Sequence, residues 1–465
     1  MKRAANRFSL MAVLLVLALL CCSCGSFLTV QPQGYVIPKT DEEFAAIMHN
    51  ILKDIEGGGD EQVLGNMDVI ARREGCADDL DANIKVGSIT AYAGEVINAR
   101  MTDYRETYSI IKDCNILIDN LEDRQSDEAR NLVAAALAVK GICFYNLMRD
   151  FCEAWDAERC NTQLGLVLAD RFSINERSAR ASLKETAVYT ETLLRRALSI
   201  GLNDKKYFFT PVMAKAYLAR LLFWCEDWDG AAKVCEDIMA NSGLEITGRD
   251  AYSDMIMAAN DARGEVICRS HINNSSELDW YFSYVKGYIK SRPASLSLIS
   301  LFGDRPQDDI RYAIGFDSRR YCLKTPECRV RLSEILLMLA ECRVHQGGRD
   351  QEALDLLNHL RERRILDVAP LTLATLPAVR KDSRISEDAT GKALTPLMQA
   401  VFDERRRELF LEGDRWFELK RNGSPEWWII NNGLKYTTKK YLYTAPIYKA
   451  DVDVYKEIKQ NEGYR

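Results

Sequence analysis

A helix–turn–helix unit at 210–243 constrains the fold more than any other feature. Thr210 can serve as an N-cap and Pro211 as the first helical residue. The helix runs to Cys225, the turn Glu226-Asp227-Trp228-Asp229 follows, and a second helix ends before Gly243. Ala214, Leu218 and Leu221 on the first helix and Ala231, Val234 and Ile238 on the second recur at helical spacing, so the two can pack face to face. The design returns at 331–364. There Ile335, Leu336, Leu339 and Ala340 form the first helix, Gly347-Gly348 the break, and Ala353, Leu356, Leu357 and Leu360 the second. Further pairs are expected over 104–150 and from 184. The stretch Glu128–Asp150 is apolar nearly all round, which marks a buried helix. Helix pairs of about 34 residues are the mark of tetratricopeptide-like arrays. The expected fold is mostly α, a helix-hairpin scaffold with long irregular loops and a few short strands.

Two insertions interrupt the array. Residues 57–95 carry Gly57-Gly58-Gly59-Asp60, Gly75, Asp78, Asp79, Asp81, Asn83, Gly87 and Gly94, and read as a long irregular surface segment. Residues 244–330 hold a strand-like run at Glu265–Arg269 and an aromatic cluster at Trp280, Tyr281, Phe282, Tyr284 and Tyr288. Residues 366–395 read as a loop, and Trp427-Trp428 and 436–447 as partly extended.

Residues 398–421 read as one helix, with Phe402, Leu409, Trp416 and Phe417 on one side and Gly413 among them. A mid-helix glycine costs about 1 kcal/mol relative to alanine, so its expected use is close approach of another helix. Glu404, Glu408 and Glu412 form an i,i+4 row of like charges, unfavourable in an isolated helix. Arg407 and Arg415 relieve part of that. The rest is expected from a neighbouring helix, with Arg361-Glu362-Arg363-Arg364 as the candidate.

At the N-terminus Lys2, Arg3 and Arg7 precede an apolar run, Phe8 to Leu20, too short to span a bilayer as a mature helix. Cys21-Cys22-Ser23-Cys24 follows and resembles a bacterial lipobox, with Cys24 as the lipidated first residue; an ordinary signal peptide cut nearby is the alternative. Residues 1–23 are thus a leader and 24–465 a single domain anchored to a membrane by acyl chains, each buried CH₂ contributing about 0.8 kcal/mol. Losing the three basic residues takes the formal charge from −6 to −9. With no Lys/Arg stripe interleaved with aromatics, no nucleic-acid partner is expected. Beyond Cys24 there are eleven cysteines, with no zinc-ligand spacing. Cys114, Cys143, Cys225, Cys235 and Cys342 fall in apolar helical patterns and read as small buried hydrophobes. Cys152/Cys160 and Cys322/Cys328 are close enough in sequence to pair, which does not show that they do.

The chain lacks the marks of an enzyme. His49, His271, His345 and His359 are scattered, and there is no HExxH, P-loop or dinucleotide fingerprint. A glycosidase would need two carboxylates at a set separation, for which Asp78, Asp79 and Asp81 are the loop acids on offer. No cofactor is expected. Structural calcium stays open, since Asp78-Asp79-x-Asp81-x-Asn83 offers oxygen ligands but lacks the full EF-hand pattern.

Several stretches together resemble the SusD/RagB family of outer-membrane nutrient-binding lipoproteins of Bacteroidetes. After Cys24, Phe27-Leu28-Thr29-Val30-Gln31-Pro32 is similar to the family's opening, and Arg180-Ala181-Ser182-Leu183 with Tyr189 to its R-A-S segment. Arg331 to Glu341 and Leu357-Asn358-His359-Leu360-Arg361 resemble its signature helix pair. Glu404-Arg405, Glu408-Leu409, Glu412-Gly413 and Arg415-Trp416-Phe417 match its hallmark, and Gln460-Asn461-Glu462-Gly463-Tyr464 its ending. The chain departs from the family at Met101 or Thr102, where tryptophan is usual, and at Leu164-Gly165-Leu166-Val167.

The resemblance implies a SusD-like α-α superhelix on the cell surface that captures a glycan, or in some members a peptide, for a SusC-like TonB-dependent transporter, without cleavage chemistry. Sugars lay apolar C–H faces on aromatic rings and bond their hydroxyls to polar side chains. On that basis Trp280, Tyr281 and Tyr284 are the expected stacking platforms, Tyr92 a further wall, and Asp78, Asp79 and Asn83 the hydroxyl partners. The competing readings are a surface-anchored tetratricopeptide-type protein-binding scaffold and a glycoside hydrolase.

Overall fold

The computed structural model describes residues 38–57, 59–81, 103–173, 178–201, 210–257, 264–270, 289, 292–431 and 434–464. The chain divides into two compact units, residues 1–44 and 45–465. Helix α1, Asp41–Glu56, opens with Asp41, Glu42 and Glu43 in its first turn, where carboxylates complement the helix dipole.

Helices α2 (Met67–Cys76), α3 (Tyr104–Leu121), α4 (Asp127–Phe151), α5 (Leu183–Ile200), α6 (Pro211–Trp224) and α7 (Trp228–Asn241) follow in order. The expected hairpins form. Helix α3 packs on α4, α4 on α5, and α6 on α7. Thr210 accepts the Met213 N–H with Pro211 as the first helical residue, and Ser182 and Glu185 close a capping box on α5. The α6–α7 turn is shorter than expected, because Asp227 caps α7 by accepting the Gly230 N–H. Helix α4 is long and apolar enough to cross a membrane by composition, yet it is the core of the body, with Ala134, Ala135, Ala136 and Ala138 at 0% exposure.

Helix α8 (Arg249–Met257) leads into β1 (Val266–Arg269), which pairs antiparallel with β2 (Arg329–Arg331). Next come α9 (Leu332–Gln346), α10 (Asp350–Glu362), α11 (Pro396–Glu408) and α12 (Arg415–Arg421), then the hairpin β3 (Trp427–Asn431) and β4 (Leu434–Thr438). Helix α9 is the hub, in contact with α7, α10 and α11.

Two expectations change, and the cysteine pairings left open above are decided. Residues 398–421 are two helices, because Leu411 and Gly413 adopt φ of +62° and +79° and the chain turns between them. Part of the segment 57–95 is helix α2, buried along most of its length and capped by Asn66. Cys152, Cys160, Cys322 and Cys328 are free, so neither candidate disulfide forms. Cys114, Cys143, Cys235 and Cys342 are buried as expected, while Cys225 at the end of α6 is half-buried.

The C-terminal segment is tied to the body by Arg180. Its guanidinium donates to Gly165 O at 2.7 Å, Lys459 O at 2.9 Å, Asn461 Oδ1 at 2.8 Å, Phe151 O at 3.2 Å and Leu164 O at 3.3 Å. An ammonium has three donors and no planar fork. Arg180→Lys is therefore expected to cost about 2 kcal/mol and to expose the segment after Asp451 to limited proteolysis. Unchanged urea midpoint and cleavage would remove this role.

Candidate ligand-binding site

The turn between α11 and α12 docks on α2. A Cβ on Gly413 would lie 2.8 Å from Ile70 Cδ1, and the Gly413 N–H donates to Glu74 Oε1 at 2.8 Å. The expected close approach of a helix is thus real, but the glycine serves a left-handed turn rather than a continuous helix. Burial, with Asp79 next in effect, pushes the Glu74 carboxyl up to about 8. The folded state then holds this proton longer than the unfolded chain, so its contribution is full below 4.5 and lost as pH rises toward 8. Glu74→Gln keeps an acceptor for Gly413 and cannot ionise. Relative to the parent, the variant is expected to gain about 1–3 kcal/mol at pH 8 and nothing at pH 4, read from paired urea titrations.

Two of the sequence-predicted hydroxyl partners are internal. Asp79 is fully buried and paired with Arg406. Asp78, its side chain 6% exposed, receives Arg415 through Nε at 2.7 Å and Nη2 at 3.0 Å. Burial would raise the Asp78 carboxyl, but Arg415 and Arg406 hold it well below the usual carboxylate range. Both acids are counter-ions of Arg406 and Arg415, not exposed sugar partners. The calcium reading of the same run is left with Asp81 and with Asn83, which lies outside the described residues. Tyr92, Trp280, Tyr281 and Tyr284 also lie outside them, as does Cys24.

The roots of both candidate loops are fastened together. Leu80 and Ala294 form an antiparallel bridge, the Asp81 N–H donates to Pro293 O at 2.8 Å, and the Ser295 N–H to Asp79 O at 2.7 Å. Arg292, 2% exposed, donates to Asp81 O, Gly75 O and Leu80 O at 2.9, 2.9 and 3.1 Å. Arg320 binds the Asp81 carboxylate at 2.8 Å. The loops after Asp81 and before Arg292, 211 residues apart in sequence, therefore start from one place.

A cleft of about 240 Å³ opens at that place, lined by Asp78, Asp81, Arg292, Ser297, Asp382, Arg384 and Trp427, among others. Arg384 lies over the Trp427 ring at 5.7 Å from its centroid. The Arg384 guanidinium, the Ser297 hydroxyl and the carboxylates of Asp81 and Asp382 suit a polyhydroxylated ligand, while Trp427, 6% exposed and covered by Arg384, backs the cleft. Asp382, Arg384 and Trp427 escaped the sequence reading because they come from a loop and a strand without any local motif. A larger cleft of about 1170 Å³ is walled by Trp155, Tyr441, Asp156, Glu387, Asp388 and Glu462. Neither Asp78 nor Asp79 reaches it.

The fold is a scaffold of helix hairpins with a cleft beside two joined segments. A model described as the SusD family matches residues 317–464, and one described as starch-binding associating with outer membrane matches 36–223. The chain belongs to the SusD/RagB family. No curated protein matches it. Among solved structures it is similar to a SusD superfamily protein from Bacteroides thetaiotaomicron, at 18% identity and a TM-score of 0.71, over 91% of this chain and 100% of that one. A SusD-like carbohydrate binding protein from Bacteroides vulgatus is similar at 15% identity and 0.67, over 92% and 100%. A laminarin binding SusD-like protein is similar at 17% identity and 0.62, over 92% and 100%.

Proposed function

We propose that this chain is a surface lipoprotein, anchored through Cys24, that captures a glycan and delivers it to a SusC-like TonB-dependent transporter in the outer membrane. The observation that carries this reading is the joining of the two loop roots beside a cleft that mixes Trp427, Arg384, Asp81 and Asp382. Trp280, Tyr281, Tyr284, Asn83 and Tyr92, which lie outside the described residues, remain the proposed further ligand contacts. A peptide is the second ligand class that the family implies.

Binding without hydrolysis fits the acids of the cleft. A glycosidase needs a general acid whose pKa is raised. Asp78 is held ionised by Arg415 and Arg406 despite its burial, and Asp382 is held below its usual range by Arg380.

The test is a glycan-array and calorimetric screen of the full chain carrying Cys24→Ser, with product analysis of each hit. Binding of an intact glycan supports the reading. Peptide binding alone would move the ligand class, and hydrolysis would favour the enzyme. Against the best hit, Arg384→Ala is expected to weaken binding about tenfold with an unchanged urea midpoint, since Arg384 is exposed. Equal affinity in the variant would move the site away from this cleft.

A further inference from the structure

We propose that a small pocket beneath the hallmark turn, lined mostly by buried side chains, binds a monatomic inorganic anion, of which chloride is the abundant example. The cavity is about 50 Å³ and lies where α4, α6, α11 and α12 meet β2. A single water needs about 10–15 Å³ on this measure, so one halide with some of its water fits.

The polar groups around the cavity are unbalanced. Six buried donor atoms on lining residues have no hydrogen-bond partner: Trp224 Nε1, Arg149 Nε, Arg329 Nε and Nη1, Arg405 Nη1 and Arg421 Nη2. Only one lining acceptor is in the same position, Glu418 Oε1. Trp224, Arg329, Arg405 and Arg421 are 3%, 2%, 4% and 6% exposed, so bulk water cannot serve them. Each unmade bond of this kind costs about 1–3 kcal/mol.

Water alone answers this demand poorly. Each water accepts two hydrogen bonds but brings two hydrogens that need acceptors of their own, and Glu418 Oε1 is the one such acceptor on offer. A halide only accepts, and it can accept from several donors at once. Its charge is matched locally, because Arg149 has Asn146 and two aromatic rings as its neighbours in place of a carboxylate. The other arginines keep their own acids: Arg405 holds Asp414 and Arg421 holds Glu341. The anion would join the hallmark helices to the α4 and α6 hairpins.

The test uses the full chain carrying Cys24→Ser. Urea midpoints are measured in sodium chloride, sodium bromide and sodium gluconate at one ionic strength, gluconate being too large for the cavity. A saturable rise in midpoint with either halide, and none with gluconate, is expected. Crystals soaked in bromide should show an anomalous peak within the cavity. Trp224→Phe keeps most of the ring and removes one donor, so the halide concentration giving half of the rise should increase about tenfold. Equal midpoints in all three salts, or a cavity with water and no anomalous peak, would overturn the proposal, even if Trp224→Phe failed to fold.

Discussion

Replacing Arg331 by methionine is expected to cost about 3–5 kcal/mol, because it strands buried carboxylates. Arg331 has no exposed surface and gathers three acids from two parts of the chain. Its Nη1 donates to Glu265 Oε1 at 2.8 Å and Glu408 Oε1 at 2.7 Å, and its Nη2 to Glu412 Oε1 at 3.0 Å. Arg364 repeats the bridge between Glu265 and Glu408, at 3.1 and 3.0 Å. Arg311 joins Glu404 and Glu408, at 2.7 and 3.0 Å. The i,i+4 row of glutamates, unfavourable alone, is thus paired acid by acid with cations from elsewhere in the chain.

The pH dependence follows with a definite sign. Burial would raise the Glu404 carboxyl, but Arg407, Arg311 and Arg361 bring it down to about 2. Glu408 and Glu412 are likewise lowered, by Arg364, Arg331 and Arg311 and by Arg331, Lys324 and Arg329 respectively. A depressed carboxyl contributes stability that is present above 4.5 and lost as pH falls through its folded value. Urea titrations should therefore show a large gap between parent and Arg331→Met at pH 7 that narrows as the pH is lowered below 4. A gap of the same size at both pH values would mean that Arg331 acts by packing alone.

How much of this was legible depends on how far away each cause lies. Thr210-Pro211 and Gly347-Gly348, the latter at φ of +71° and +68°, mark helix ends within a few residues, and the hairpins follow from them. The pairing of Glu404 with Arg361, at 3.7 Å, and of Glu408 with Arg364 was readable because an acidic row needs cations nearby. The break at Leu411 was not, since a leucine in the left-handed region carries no local signal. Helix α2 was hidden because its Arg73 and Glu74 are buried by partners far along the chain, Asp150 and Gly413. Asp78 and Asp79 looked solvated beside their glycines for the same reason, since Arg406 and Arg415 lie more than 300 residues away. Of the candidate site, the sequence pointed to the two loops, and the fastening by Arg292 appeared only in three dimensions.

That fastening gives the last prediction its form. Trp280→Ala together with Tyr284→Ala is expected to abolish glycan binding while leaving the urea midpoint unchanged. Aromatic anchors at the centre of a binding surface contribute about 2 kcal/mol or more each, so two of them correspond to about a thousandfold in affinity. Stability should not follow, because the groups that hold the loop roots are elsewhere: Arg292 on three carbonyls, the Leu80–Ala294 bridge, and Arg320 on Asp81. Calorimetry against the best array hit, beside urea titration of the same variant, separates the outcomes. Lost binding with an intact midpoint places the sugar on this loop. Retained binding would sink the aromatic assignment and leave the cleft of Trp427 and Arg384 as the site, which Arg384→Ala tests by itself. A lowered midpoint would mean that Trp280 and Tyr284 are core residues, as Trp-Tyr-Phe runs often are.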